Sequence, residues 1–176
     1  MRPDTSAIVP AERLDLVPIG PEHAEEMAAA LADPALHAFI GGTPATAEAL
    51  HTRYTRLAAG SPGPAEAWGN WALRLRADGR LAGYVQATIR PEAAELAWVV
   101  GTPWQGRGLA VEAARALLGH LTAAGVTIVT AHIHPDHHAS AAVARALGLA
   151  PTDEQQDGET RWHARIDAPR NASPTR

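Results

Sequence analysis

Trp98-Val99-Val100-Gly101-Thr102-Pro103-Trp104-Gln105-Gly106-Arg107-Gly108-Leu109-Ala110 is the stretch from which the fold is read. Its first residues close an apolar run that starts at Ala94, its Gly- and Pro-rich middle turns the chain, and Leu109 opens a helical pattern reaching Ala123. A strand that passes through a glycine turn straight into a helix makes an anion cradle. The N–H groups of the turn and of the first helical turn lack partners within the helix, and they sit at the positive end of its dipole. Gly106 and Gly108 let a ligand approach the backbone closely, and Arg107 offers one charge-assisted contact. The Gly-Lys-Ser/Thr of a nucleotide P-loop is absent, and the glycine spacing does not fit the dinucleotide fingerprint. A bare alternative is that the two glycines only make a tight strand-to-helix connection.

Working outward, Leu14, Leu16 and Ile19 mark a first strand, and Met27, Ala28 and Leu31 a helix after Pro21 that closes at Asp33-Pro34. Leu50, Tyr54 and Leu57 place a second helix over Thr46–Ala59, broken by Gly60–Pro64. Trp71–Leu75 and Leu81–Ile89 form an antiparallel hairpin about the turn at Ala77–Arg80. Thr127–Ile133 reads as a strand, Ser140–Leu147 as a helix and Thr160–Ile166 as a last strand. The expected fold is α/β (α+β): one mixed, mostly antiparallel central sheet flanked by helices. Residues 1–12 and 167–176, rich in Pro, Asp, Ser, Thr and Arg, are expected as tails around a domain of 13–166.

Composition limits the chemistry. With 176 residues, 46% of them hydrophobic, and a net charge of −4, the chain fills one core and is no disordered segment. It has no cysteine, so neither a disulfide, a thiolate metal site nor a cysteine nucleophile exists. Its 15 basic residues are all arginine and are scattered, which argues against nucleic acid as partner. No apolar run is long enough for a membrane span and no signal-type segment opens the chain, so a cytoplasmic location is expected. His132 and His134 share a strand face near His137 and His138, but no carboxylate at helical spacing completes a ligand set, and no metal is expected.

Gln105-Gly106-Arg107-Gly108-Leu109-Ala110 resembles the Gln/Arg-x-x-Gly-x-Gly/Ala signature of the GCN5-related N-acetyltransferases (GNAT), whose turn binds the pyrophosphate of acetyl-coenzyme A. The meander before it and the helix, strand and helix after it follow that family's order. Pro135–Ser140, with Val143, Leu147, Gly148 and Leu149, resembles the Asn-x-x-Ser…Leu-Gly-Phe pattern of the ribosomal-protein N-terminal acetyltransferase (Rim-type) branch. His137 stands where Asn is usual, Leu149 where Phe is usual, and Ala144 where another variant carries a tyrosine acid.

The resemblance implies a GNAT-like acyl-coenzyme A fold and acetyl transfer to a primary amine, by direct transfer in a ternary complex. The acceptor is a protein N-terminus or a small-molecule amine such as an antibiotic, and the chain is a monomer or a homodimer. It implies that Gln105, Gly106, Arg107, Gly108, Leu109 and Ala110 hold the coenzyme. Backbone groups of Val99 and Val100 pair with the pantetheine arm, and His137 and Ser140 contact it. Glu95 is the candidate base, or else a solvated edge glutamate; Ser140 is the candidate acid, or else a helix N-cap. Phe39, Ile40, Tyr54 and Trp98 are candidates for the acceptor wall, with His37, Gly41 and Gly42 nearby. Two rivals stay open: a non-catalytic acyl-coenzyme A sensor, and a transferase for oxygen acceptors or longer acyl chains.

Overall fold

The polypeptide folds around one eight-stranded sheet; the computed structural model describes residues 2–167. The strands are β1 (Val9–Pro10), β2 (Leu14–Pro18), β3 (Ala67–Leu75), β4 (Leu81–Ile89), β5 (Ala93–Val100), β6 (Ile128–Ile133), β7 (Ala150–Gln156) and β8 (Glu159–Arg165). Their order is β1-β2-β3-β4-β5-β6-β8-β7. Every neighbouring pair is antiparallel except β5 and β6. The helices are α1 (Ala24–Ala30), α2 (His37–Ile40), α3 (Ala47–Ala58), α4 (Leu109–Ala123) and α5 (His138–Ala146). This is the mixed, mostly antiparallel sheet flanked by helices that the sequence predicts.

The pattern of each element explains its place. In β4, Val85, Ala87 and Ile89 are buried while Tyr84, Gln86 and Thr88 alternate with them as half-buried residues, so β4 presents two different faces. Tyr84 and Gln86 face α1 and α3 across a small cavity. The buried stripe Leu109, Ala113, Leu117, Leu121 lays α4 across β1, β2, β4 and β5. Trp71, Leu14, Leu16, Met27 and Leu73 are wholly enclosed, each contributing roughly 1.5–3 kcal/mol by burial. Thr46 caps α3, its hydroxyl accepting the Ala49 N–H at 3.1 Å.

Several elements differ from expectation, α2 (His37–Ile40) among them. The first strand of the hairpin begins four residues earlier, at Ala67. Before residue 13, Val9–Pro10 pairs with Leu16 and Asp15, and the Ala7 carbonyl accepts the Trp71 indole N–H at 2.9 Å. β7 escapes the apolar alternation that marks strands, because Ala-Pro-Thr-Asp-Glu-Gln-Gln is almost wholly exposed at the sheet edge. Its signal was the Asp157-Gly158 pair: both residues take positive φ (51° and 80°), the two-residue hairpin turn that such a dipeptide favours. Of the expected C-terminal tail, residues 168–176 lie outside the described residues.

Gly83 positions the site. Its φ is +153°, and a Cβ there would fall 2.1 Å from the Val99 carbonyl oxygen, so β4 and β5 approach at a spacing only glycine permits. Gly83→Ala is expected to cost about 3 kcal/mol, hence about 6–12 °C in Tm, read by urea and thermal unfolding. A loss below about 0.5 kcal/mol would contradict the close approach.

Candidate active site

The parallel pairing of β5 and β6 opens the site. The two strands pair from Ala93–Glu95 against Ile128–Thr130 and then separate, leaving the last part of β5 without a neighbour on that side. A cleft of about 460 Å³ fills the gap, walled by Trp98, Val100, Trp104, Gly108, His137 and Val143 among others. It holds the glycine turn at one end.

Gly106 and Gly108 both adopt left-handed φ, 74° and 75°, and Gly108 is the N-cap of α4 without a side-chain cap. The first helical bond runs from Glu112 N–H to the Gly108 carbonyl, so the N–H groups of Leu109, Ala110 and Val111 precede the ladder and are open to an anion. Gln105 donates its side-chain amide to the Val100 carbonyl at 2.9 Å, which pins the turn to the strand. Trp104 is buried beneath, with its ring against the position a Cβ of Gly101 would take.

Two expected contacts are corrected. Gly101 N–H bonds to Ala82 O and Arg90 N–H to Ala93 O, which sets the antiparallel alternation: backbone groups of Glu95, Ala97 and Val99 point into β4, those of Leu96, Trp98 and Val100 toward the gap. Val99 therefore reaches the cleft by its side chain, not by its amide. Val100 O is already held by Gln105, leaving the Val100 N–H for a ligand. Arg107 turns its guanidinium back onto the Pro103 carbonyl at 3.1 Å and does not line the cleft.

A different arginine secures the cradle. Arg13, at the entrance to β2, donates from its backbone N–H (2.6 Å) and Nε (2.7 Å) to the two carboxylate oxygens of Glu112, and from Nη1 to the Arg107 carbonyl at 2.9 Å. Burial would raise the Glu112 carboxyl, but these bonds hold it below its ordinary value. Sequence reading missed Arg13, since nothing local marks an arginine 99 residues from its partner.

Beyond the cleft lies a second pocket of about 260 Å³ that shares Ile40, Trp98, Val99, His137 and Ser140 with it. Glu95 lines this pocket at the point where β5 and β6 part. Its Oε1 is 3.2 Å from Nδ1 of His132, a residue that sequence reading weighed only as a metal ligand. His134 Nδ1 accepts the Asp136 N–H. Among the described residues no three His, Asp or Glu side chains converge as a metal site.

α5 begins at His138, two residues earlier than expected, and its cap is His137 rather than Ser140. His137 Nδ1 accepts the Ser140 N–H at 3.3 Å, so the neutral ring carries its proton on Nε2 and donates it to Ser140 Oγ at 3.2 Å. The Ser140 hydroxyl hydrogen is thereby left for a further partner in the cleft. Ala144, fully buried, offers no acid. Phe39 and Ile40 remain 37% and 43% exposed, with the Phe39 ring 4.3 Å from that of His137, so α2 roofs the junction of cleft and pocket.

Burial lowers His137 below its ordinary value of 6.5, and does the same to His23. As pH falls through 6.5 the unfolded chain takes up protons first, so stability present above that pH is lost progressively below it. Tm is expected to drop between pH 7 and pH 5.5, and the pair His23→Gln with His137→Asn to flatten that drop. An unchanged slope in the double variant would contradict it.

This fold and cradle define a coenzyme A-dependent acyltransferase, and the chain belongs to the acetyltransferase (GNAT) domain family, whose profile matches residues 13–150. Acetyl-coenzyme A-dependent acetyl transfer is the activity of that family. Among solved structures the fold is shared with RimL, described as a ribosomal L7/L12 alpha-N-protein acetyltransferase in complex with coenzyme A. The TM-score is 0.76 at 18% identity, over 93% of this chain and 100% of that one. An acetyltransferase from Thermus thermophilus superposes with TM-score 0.73 at 22% identity, over 91% and 100% of the two chains. A GNAT-family acetyltransferase from Bacillus anthracis gives 0.72 at 17%, over 89% and 96%. No curated protein matches the chain. Among the described residues no helix is long and apolar enough to cross a membrane.

Proposed function

We propose that the protein transfers the acetyl group of acetyl-coenzyme A directly to a primary amine, both substrates being bound together. The observation that carries this reading is that Glu95 and Ser140 line one pocket continuous with the cradle cleft. The N–H groups at the head of α4 and the turn at Gly106–Gly108 take the pyrophosphate. The Val100 N–H takes the pantetheine arm, which runs beside His137 and Ser140 along the cleft.

An amine attacks only when neutral. Glu95, held by His132, accepts the proton of the incoming ammonium, directly or through water. The amine nitrogen then bonds to the thioester carbon, and the carbon–sulfur bond breaks. Backbone N–H groups on the open side of β5 face the negative charge that develops on the carbonyl oxygen. The Ser140 hydroxyl donates its proton to the departing sulfur and is restored by the second proton of the attacking nitrogen, directly or through water, its oxygen being oriented by His137 Nε2–H. With no cysteine in the chain, no acetyl-thioenzyme intervenes.

Release of free coenzyme A thiol across a panel of amines tests the reading. Thiol release that depends on the amine and saturates with it is expected. Cofactor binding without thiol release for any acceptor would replace the enzyme reading by that of a sensor.

A further inference from the structure

A third cavity, of about 110 Å³, adjoins the Glu95-lined second pocket, which takes the acceptor in the reading above, and shares Ile40 and Tyr84 with it. It lies between β4, α1 and α3, away from the glycine cradle. Its polar lining differs in sign from the pocket beside it: Glu95 and Glu159 face the acceptor pocket, whereas among the described residues no Asp or Glu lines the third cavity. Arg53, Tyr54, Tyr84, Gln86 and His37 do.

These groups are mostly donors in search of a partner. Arg53 makes no ion pair or hydrogen bond among the described residues, and neither tyrosine hydroxyl has a protein partner there. Tyr54 is only 3% exposed, yet among the described residues no fully sealed side-chain polar atom lacks a partner, so its hydroxyl opens into the cavity. Burial pushes the Tyr54 hydroxyl up to about 12 and raises Tyr84 as well, with Arg53 close enough to oppose both shifts. Both phenols are therefore protonated donors. Gln86 spends its side-chain amide N–H on Asn70 at 2.7 Å, and both ring nitrogens of His37 lie against the carbonyls of Leu31 and Gly41.

We infer that this cavity is an anion subsite for the acceptor, so that the preferred acceptor is a primary amine bearing a carboxylate a short distance from the nitrogen. The amine end lies beside Glu95, and the carboxylate meets the Arg53 guanidinium and the hydroxyls of Tyr54 and Tyr84. A charged acceptor oxygen aligned by an arginine and two phenols gains charge-assisted bonds that a neutral amide in the same place does not. The small volume admits a carboxylate with a few carbons and excludes a bulky group. The inference rests on the amine-acetyltransferase reading for its amine end, while the anion subsite stands on the cavity itself.

A series of straight-chain ω-amino acids with one to five methylenes, each matched with its carboxamide, tests it on protein saturated with coenzyme A. Calorimetry reads binding, and thiol release with acetyl-coenzyme A reads turnover. For at least one chain length the acid is expected to bind about ten- to a hundredfold tighter than its amide. Arg53→Gln, on an exposed stretch of α3, removes that preference, and Tyr54→Phe, which keeps the buried ring, reduces it. Equal binding of acid and amide at every length, or a preference that survives Arg53→Gln, overturns the subsite. A preference in binding without thiol release for any acid leaves the subsite standing and sinks the acetyltransferase reading.

Discussion

Gly108→Trp abolishes the stabilisation that acetyl-coenzyme A gives the wild-type protein. At a ligand concentration about 100 times Kd, the wild type gains about 2.7 kcal/mol, which for a chain of this size is about 5–10 °C in Tm. The variant is expected to gain none. Gly108 closes the cradle with φ +75° at the head of α4, and the position of an added Cβ is clear of protein atoms except Arg13 Nη2 at 3.5 Å. The Cβ of a tryptophan there has room in the protein, and its indole is carried at the edge of the cleft that Gly108 lines. The backbone strain of a left-handed non-glycine residue lowers the unliganded Tm by only a few degrees, for a cost of about 1–2 kcal/mol. Thermal-shift titration with acetyl-coenzyme A, coenzyme A and longer acyl-coenzymes measures both effects, and the ranking across chain lengths names the acyl donor. A ligand-induced shift retained by the variant would place the coenzyme elsewhere.

Glu95→Gln is the second large effect, and it falls on turnover rather than binding. The substitution keeps the size of the side chain and a contact with His132, but removes the carboxylate proposed as the base, so kcat should fall by about 10²- to 10⁴-fold. The thermal shift with coenzyme A should remain that of the wild type, because Glu95 lines the second pocket and not the cradle cleft. His132→Asn is expected to do less, since it removes the support of the base and not the base itself. Single-turnover measurement of thiol release checks both. If Glu95→Gln turns over within about threefold of the wild type, Glu95 is a solvated edge residue and another group accepts the proton.

The parts of this protein legible from the chain are those whose causes are local. The glycine turn between an apolar strand and an amphipathic helix reads directly, because Gly106 and Gly108 answer a need for left-handed backbone within a few residues. The hairpin of β3 and β4 reads from alternation, and α4 from its apolar stripe. β7 did not, since an edge strand buries little and leaves no alternation to see, although Asp157-Gly158 marked its turn.

At the site the boundary between local and distant causes is sharper. Motif position picked out Ser140, but whether it caps the helix or faces the cleft depended on α5 starting at His138, with the His137 ring accepting the Ser140 N–H. Val99 and Val100 were read as equivalent, and only the register with β4, fixed by Gly101 on Ala82, turned one toward the sheet and the other toward the gap.

The sequence by itself determined the class of fold, the anion cradle, the absence of thiol chemistry and the candidate residues Glu95 and Ser140. Tertiary structure alone decided that Arg13 holds Glu112 across 99 residues, that His132 meets Glu95 across 37, and that an arginine and two tyrosines surround a cavity free of carboxylates among the described residues. Local preferences act over a turn of helix or a strand pair, whereas these contacts arise where separate elements are packed together by the burial of their apolar faces. Their partners are chosen by the sheet order and register, which no short stretch of the chain specifies.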